Sequence, residues 1–139
     1  MQTTMATSKL TLSMAFLAAA DILAITSPLM AQETNTPIMT HTLAAASGSE
    51  TLMYTVAFPP GFSSPIHRHD AQVSVYVLEG SVVMQVKGGK ELTLGPGQSF
   101  YENNNDIHVV SRNASESMPA KFLVFLIHKK NTPLVIPVK

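Results

Sequence analysis

The sequence predicts an all-β domain, a barrel or double-sheet sandwich of about eight short antiparallel strands, behind an N-terminal signal segment. Three observations carry this. Beyond residue 50, runs rich in β-branched and aromatic residues recur, with turn signals about every eight to twelve residues. No amphipathic helical period shows over the same stretch. The chain has 139 residues, enough for one domain with a core and not for two.

Composition narrows the function. The chain is 45% hydrophobic and 13% charged, with a formal net charge of zero. No basic excess points to nucleic acid and no acidic excess to a solvating tail. There is no Trp, and the few aromatics form no stacking series. There are no cysteines, so any metal site uses nitrogen and oxygen ligands, against zinc-finger and Fe–S readings.

Residues 1–31 read as an export signal. Lys9 precedes an apolar stretch from Leu10 to Ile25, then Ser27-Pro28 and a cleavage point after Ala31. Asp21 inside the apolar stretch and Leu29 three residues before the cut depart from that pattern. The rival is an uncleaved anchor. Against it, the run is short for a span of about 20 residues, and a mid-helix Asp costs roughly 2.5–3.5 kcal/mol on insertion scales. The expected mature chain starts near Gln32, is periplasmic or secreted in a bacterium, and has no stable membrane span after cleavage.

Residues 32–49 are polar and Ala-rich, with Pro37 and the Ser47-Gly48-Ser49 turn. They read as a flexible start with at most one short strand. The barrel is expected over 50–128. Thr51–Phe58 is its first strand, and Pro59-Pro60-Gly61 ends it. The stretch from His67 to Leu78 enters an apolar run that turns at Gly80. Ser81–Lys87 and Lys90–Leu94 flank Gly88-Gly89, a two-residue hairpin signal. Gln98–Glu102 is a short strand after Gly95-Pro96-Gly97, and Asn103–Asp106 is a loop. Ile107–Ser111 is a strand and Arg112–Ala120 a loop. Lys121–Ile127 shows no clean alternation, which suggests burial on both faces. Residues 129–139 carry Pro133 and Pro137 and read as an edge strand or extended tail.

His67 and His69 are one residue apart, and in a strand residues i and i+2 share a face. Both imidazoles can therefore reach one point, an arrangement that suits a metal ion.

These residues resemble the cupins, small jelly-roll β-barrels whose first motif reads G-x5-H-x-H-x3,4-E-x6-G. Gly61, His67, His69 and Gly80 fall at those spacings. The second motif, G-x5-P-x-G-x2-H-x3-N, is diverged in its first half. Asn103-x-Asn105 stands for Pro-x-Gly, His108 holds the histidine position, and Asn113 comes one residue late. The resemblance covers roughly residues 50–128. It implies a divalent metal on two histidines, a Glu and the second-motif histidine. Val73 stands where the Glu belongs, so three ligands carry over: His67, His69 and His108. Gln72 has the opposite strand parity and replaces the Glu only through a bulge.

Three neutral imidazoles suit Fe, Mn, Ni, Cu or Zn and leave positions open for substrate. The resemblance then implies an enzyme, a metal-dependent oxidoreductase such as a dioxygenase, or a decarboxylase or isomerase. Its substrate is a small oxygen-bearing molecule, activated by the metal because no general base stands in sequence beside the histidines. The alternatives are a non-catalytic cupin that binds a metal or small ligand, and a structural cupin with a vestigial site. Family members are commonly dimers, so a homodimer is expected through the apolar tail. Asp70 is a candidate for orienting a histidine. His41 and His128 have no assigned role, and Glu79 reads as a solvated strand-end charge. Tyr54, Phe58, Met84, Phe100, Tyr101 and Phe122 read as core, some of them lining the cavity. Asn113-Ala114-Ser115 spells a glycosylation sequon, of little weight in a bacterial protein.

Overall fold

The structure is a computed structural model that describes residues 32–139. The expected signal segment lies outside the described residues. Among those residues there is no helix, and so none long and apolar enough to cross a membrane.

Ten strands run in chain order: β1 Thr34–Thr42, β2 Ser49–Phe58, β3 His67–Arg68, β4 Ala71–Glu79, β5 Val82–Val86, β6 Leu92–Leu94, β7 Ser99–Glu102, β8 Ile107–Asn113, β9 Ala120–Lys129 and β10 Ile136–Pro137. They form two five-stranded antiparallel sheets, ordered β1-β2-β9-β4-β7 and β10-β3-β8-β5-β6. The predicted jelly-roll architecture is the observed one, with strands added at both ends. Residues 34–42, expected to be mobile with at most one short strand, form a nine-residue edge strand along β2. The Pro-bearing tail supplies β10, which pairs with β3 at the edge of the second sheet. The barrel therefore extends past 50–128 in both directions.

Alternation builds the core. In β4, Ala71, Val73, Val75 and Val77 point inward, while Gln72, Ser74, Tyr76 and Leu78 point out. Facing them across the sandwich are Val82 and Met84 of β5. Burial of these side chains is the main force that holds the sheets together. β9 corrects one expectation. Ala120, Phe122, Val124, Leu126 and His128 are buried on one face, and the opposite face is half-buried, ending in exposed Ile127 and Lys129. β9 is the centre of its sheet, so side chains on β2 and β4 shelter that outer face.

Two turns differ in interest. Gly80 joins β4 to β5 at φ 66°, and a Cβ there would lie 2.5 Å from the Pro119 carbonyl oxygen, so only glycine fits. The β5–β6 turn closes from Gly89 N to Val86 O at 2.9 Å, so its central pair is Lys87-Gly88, one residue earlier than the sequence suggested.

The loop from β8 to β9 is clamped by Asn113, which is fully buried. Its Nδ2 donates to the carbonyls of Pro59 at 2.9 Å and Met118 at 2.8 Å, and its Oδ1 accepts from Ser115 N at 2.9 Å. The sequon asparagine is thus a structural clamp, closed to glycosylation in the folded domain.

Candidate metal centre

The site forms at one mouth of the sandwich, where β3 meets β8. His67 and His108 are direct partners across that antiparallel pair. His69 follows two residues after His67 and points the same way, as the i, i+2 rule requires; both are buried while Arg68 is half-buried between them. The Asn103–Asp106 loop delivers β8 to this position. Asp106 Oδ2 accepts from Asn103 N at 2.9 Å, Asn105 takes φ 66°, and Asn105 N donates to His69 O at 3.0 Å.

His67, His69 and His108 each offer a ring nitrogen, and these three atoms lie within 4.8 Å of one another. The ring centroids of His67 are 4.9 Å from His69 and 5.1 Å from His108. Two of the rings are fixed by backbone. His67 Nδ1 bonds the Pro65 carbonyl at 2.7 Å, and His69 Nδ1 bonds the Leu134 carbonyl. Each Nδ1 is then the N–H donor, and each Nε2 keeps its lone pair for the cavity. Phe100 of β7 stacks on His108, with centroids 5.7 Å apart and planes 18° from parallel.

The sequence reading missed Glu102. It ends β7 with its side chain inward, 2% exposed. Its Oε2 lies 3.5 Å from His108 Nδ1 and 4.0 Å from His69 Nε2. Burial pushes its carboxyl up to about 7, with the Asp106 charge adding to the shift. Burial likewise drives His108 down to about 3, helped by His67 and His69, and lowers His69 despite the opposing Leu134 bond. These shifts favour neutral imidazoles at His69 and His108, the state that ligates a metal.

Two buried polar atoms here have no hydrogen-bond partner among the described residues, Glu102 Oε2 and His108 Nε2. Orphans of this kind are costly, and a cation held in the cluster would be a partner for such atoms. Donors about 2.1 Å from one ion sit about 3 Å apart when adjacent and about 4.2 Å apart when opposite. The spacings here are close to that range, so the donor set fits a divalent metal.

The histidines open onto a cavity of about 170 Å³. Its apolar wall includes Val56, Phe58, Met84 and Phe122, and its rim Glu33, Asn35 and Leu134. Tyr54 also lines it, and burial, aided by Glu33 and Glu102, pushes its hydroxyl up to about 12. No Lys or Arg is among the described lining residues.

Other expected site residues lie elsewhere. Val73 is buried and lines the cavity. Gln72 is exposed on the opposite face, and no bulge in β4 turns it inward; the only β4 irregularity lies between Val77 and Glu79. It cannot stand for the missing Glu. Asp70 lines a separate depression with Gln72 and His128, and backbone carbonyls do the orienting expected of it. His128 is buried beside Glu50, with Nε2 3.3 Å from its carboxylate, and His41 is exposed on β1. Tyr101, expected in the core, is 52% exposed because it alternates with Phe100 and Glu102.

A family model described as a cupin domain matches residues 54–126. The chain is a cupin. No curated protein matches it. Solved structures do. TT1209 from Thermus thermophilus is 30% identical, with a TM-score of 0.54 over 68% of this cupin and 82% of that chain. DMSP lyase DddQ from Ruegeria pomeroyi is 24% identical, with a TM-score of 0.56 over 66% of this cupin and 44% of the lyase chain. An oxalate oxidase crystallised with glycolate is 21% identical, with a TM-score of 0.53 over 63% and 45%. This cupin thus spans under half the length of the lyase and oxidase chains. Below 25% identity, their likeness shows the shared fold.

Proposed function

We propose that this cupin binds one divalent first-row metal ion through His67, His69 and His108 and uses it to act on a small oxygen-bearing molecule. The observation that carries the reading is the convergence of three buried imidazole nitrogens within 4.8 Å. Backbone tethers on two of the rings support it. When bound, the metal supplies a Lewis acid and a template for the substrate.

The cavity bounds the substrate. About 170 Å³ is below the roughly 300–1,000 Å³ of drug-sized sites, so the molecule has few non-hydrogen atoms. With Glu33 in the lining and no Lys or Arg among the described lining residues, only the bound metal would pair with an anionic group, so a second free carboxylate fits less well than a neutral or zwitterionic molecule. Tyr54 keeps its proton at neutral pH and can donate a hydrogen bond to a substrate oxygen. Phe58, Met84 and Phe122 give the cavity an apolar wall against which the carbon part of such a molecule can pack. The cupin neighbours named as a lyase and an oxidase span two reaction types, and neither type is carried over here.

The N-terminal order of charge, apolar run and small residues supports export of the domain from near Gln32. A dimer through the tail belongs to the same proposal.

The test is turnover. The metal-loaded protein is screened for loss of small neutral and zwitterionic oxygen compounds, with oxygen uptake followed in parallel. Turnover that His108→Ala abolishes supports an enzyme. Metal binding without turnover of any compound leaves a binding module.

A further inference from the structure

We infer that Glu102 is the fourth metal ligand of this site, supplying from β7 the carboxylate that position 73 of β4 lacks. The inference rests on the proposed metal site and extends it.

Register carries the argument. Val73 and Glu102 are direct partners in the antiparallel β4–β7 pair, and both side chains point inward. Residues directly opposite in such a pair hold their Cβ atoms about 4.5–5.5 Å apart on the same face. A glutamate at either position therefore reaches nearly the same point in the cavity. The carboxylate has moved one strand across, and the donor set it joins is unchanged.

The surroundings of Glu102 point the same way. Its Oε2 is buried without a hydrogen-bond partner among the described residues. Its nearest basic atoms are nitrogens of two proposed ligands, His108 at 3.5 Å and His69 at 4.0 Å. Neither distance is that of a good hydrogen bond, yet the 4.0 Å spacing falls within what two donors on one ion adopt. No Lys or Arg pairs with Glu102 among the described residues. A buried carboxylate held only by histidines lacks the compensation that burial demands, and a cation shared with those histidines provides it.

The test uses metal-stripped protein titrated with Co²⁺, read by calorimetry and by the visible Co²⁺ absorption. Wild type should take up one equivalent. Glu102→Gln keeps the shape, should remain folded by circular dichroism, and should bind at least about tenfold more weakly with an altered spectrum. The exchange variant Val73→Glu/Glu102→Val should regain most of the lost affinity. Wild-type affinity and spectrum in Glu102→Gln would overturn the inference and leave the three-histidine site standing. Absence of Co²⁺ binding by wild type would overturn both. Should Glu102→Gln fail to fold, Glu102→Asp gives the same test, because a shortened ligand weakens binding and a bystander does not.

Discussion

Glu102 faces Val73 directly across the β4–β7 pair, and both side chains are 2% exposed. The consequence is that Val73 marks a displaced carboxylate and not a lost one. A single Val73→Glu change would set a second carboxylate beside the first in a buried cavity. Like charges at that distance repel, so the metal-free variant is expected to be less stable than wild type by about 1–3 kcal/mol near neutral pH. Urea denaturation checks this, and equal midpoints would mean that the two positions do not share the cavity.

The metal-free protein should show a specific pH dependence. Glu102 is raised from 4.5 to about 7, so between those values the folded state holds a proton that the unfolded chain has released. Stability from this group is full below about pH 4.5 and falls as pH rises to about 7, by ~3 kcal/mol in all. His108, lowered from 6.5 to about 3, acts oppositely. It destabilises in acid, and its penalty fades as pH rises through 6.5, as does that of His69. Glu102→Gln removes only the falling contribution. Its stability relative to wild type should therefore grow from pH 4.5 to pH 7, measured by denaturant titration at each pH. Parallel curves would contradict the burial of an ionisable Glu102.

Asn113 holds the β8–β9 loop through its amide. Asn113→Ala leaves the Pro59 and Met118 carbonyls and the Ser115 N–H without this partner. A loss of about 2–4 kcal/mol is expected, read as a drop in melting temperature. A shift under about 2 °C would show that water replaces the clamp at little cost.

Gly80→Ala forces a Cβ toward the Pro119 carbonyl at a positive φ. The conformation alone costs about 1–2 kcal/mol and the contact adds to it. Gly48, also at positive φ but with open space around it, should tolerate alanine better. The paired melting temperatures test that ranking.

Much of the site is legible in the sequence. The spacing of His67 and His69 puts both on one face, and the second motif supplies His108. β4 to β9 fall close to their expected places because turn residues bound each strand. Glu102 was missed for a definite reason. Parity alone would have turned it inward, two residues after Phe100, at the end of a strand already recognised. What parity could not give was the pairing of β7 with β4, which is a long-range contact. The same holds for β1: nothing local in 34–42 announces a strand, and its order comes from the edge of β2. The outer face of β9 was misread because an apolar run does not reveal whether neighbouring strands or a second layer cover it.

The central claim is that three histidines hold a metal, and metal content tests it most directly. Wild-type protein incubated with a divalent first-row metal and desalted should retain about one ion per chain. His67→Ala and His108→Ala, shown to be folded, should retain almost none. Wild type that holds no more metal than these variants would contradict the account and leave a cupin fold with an idle cavity.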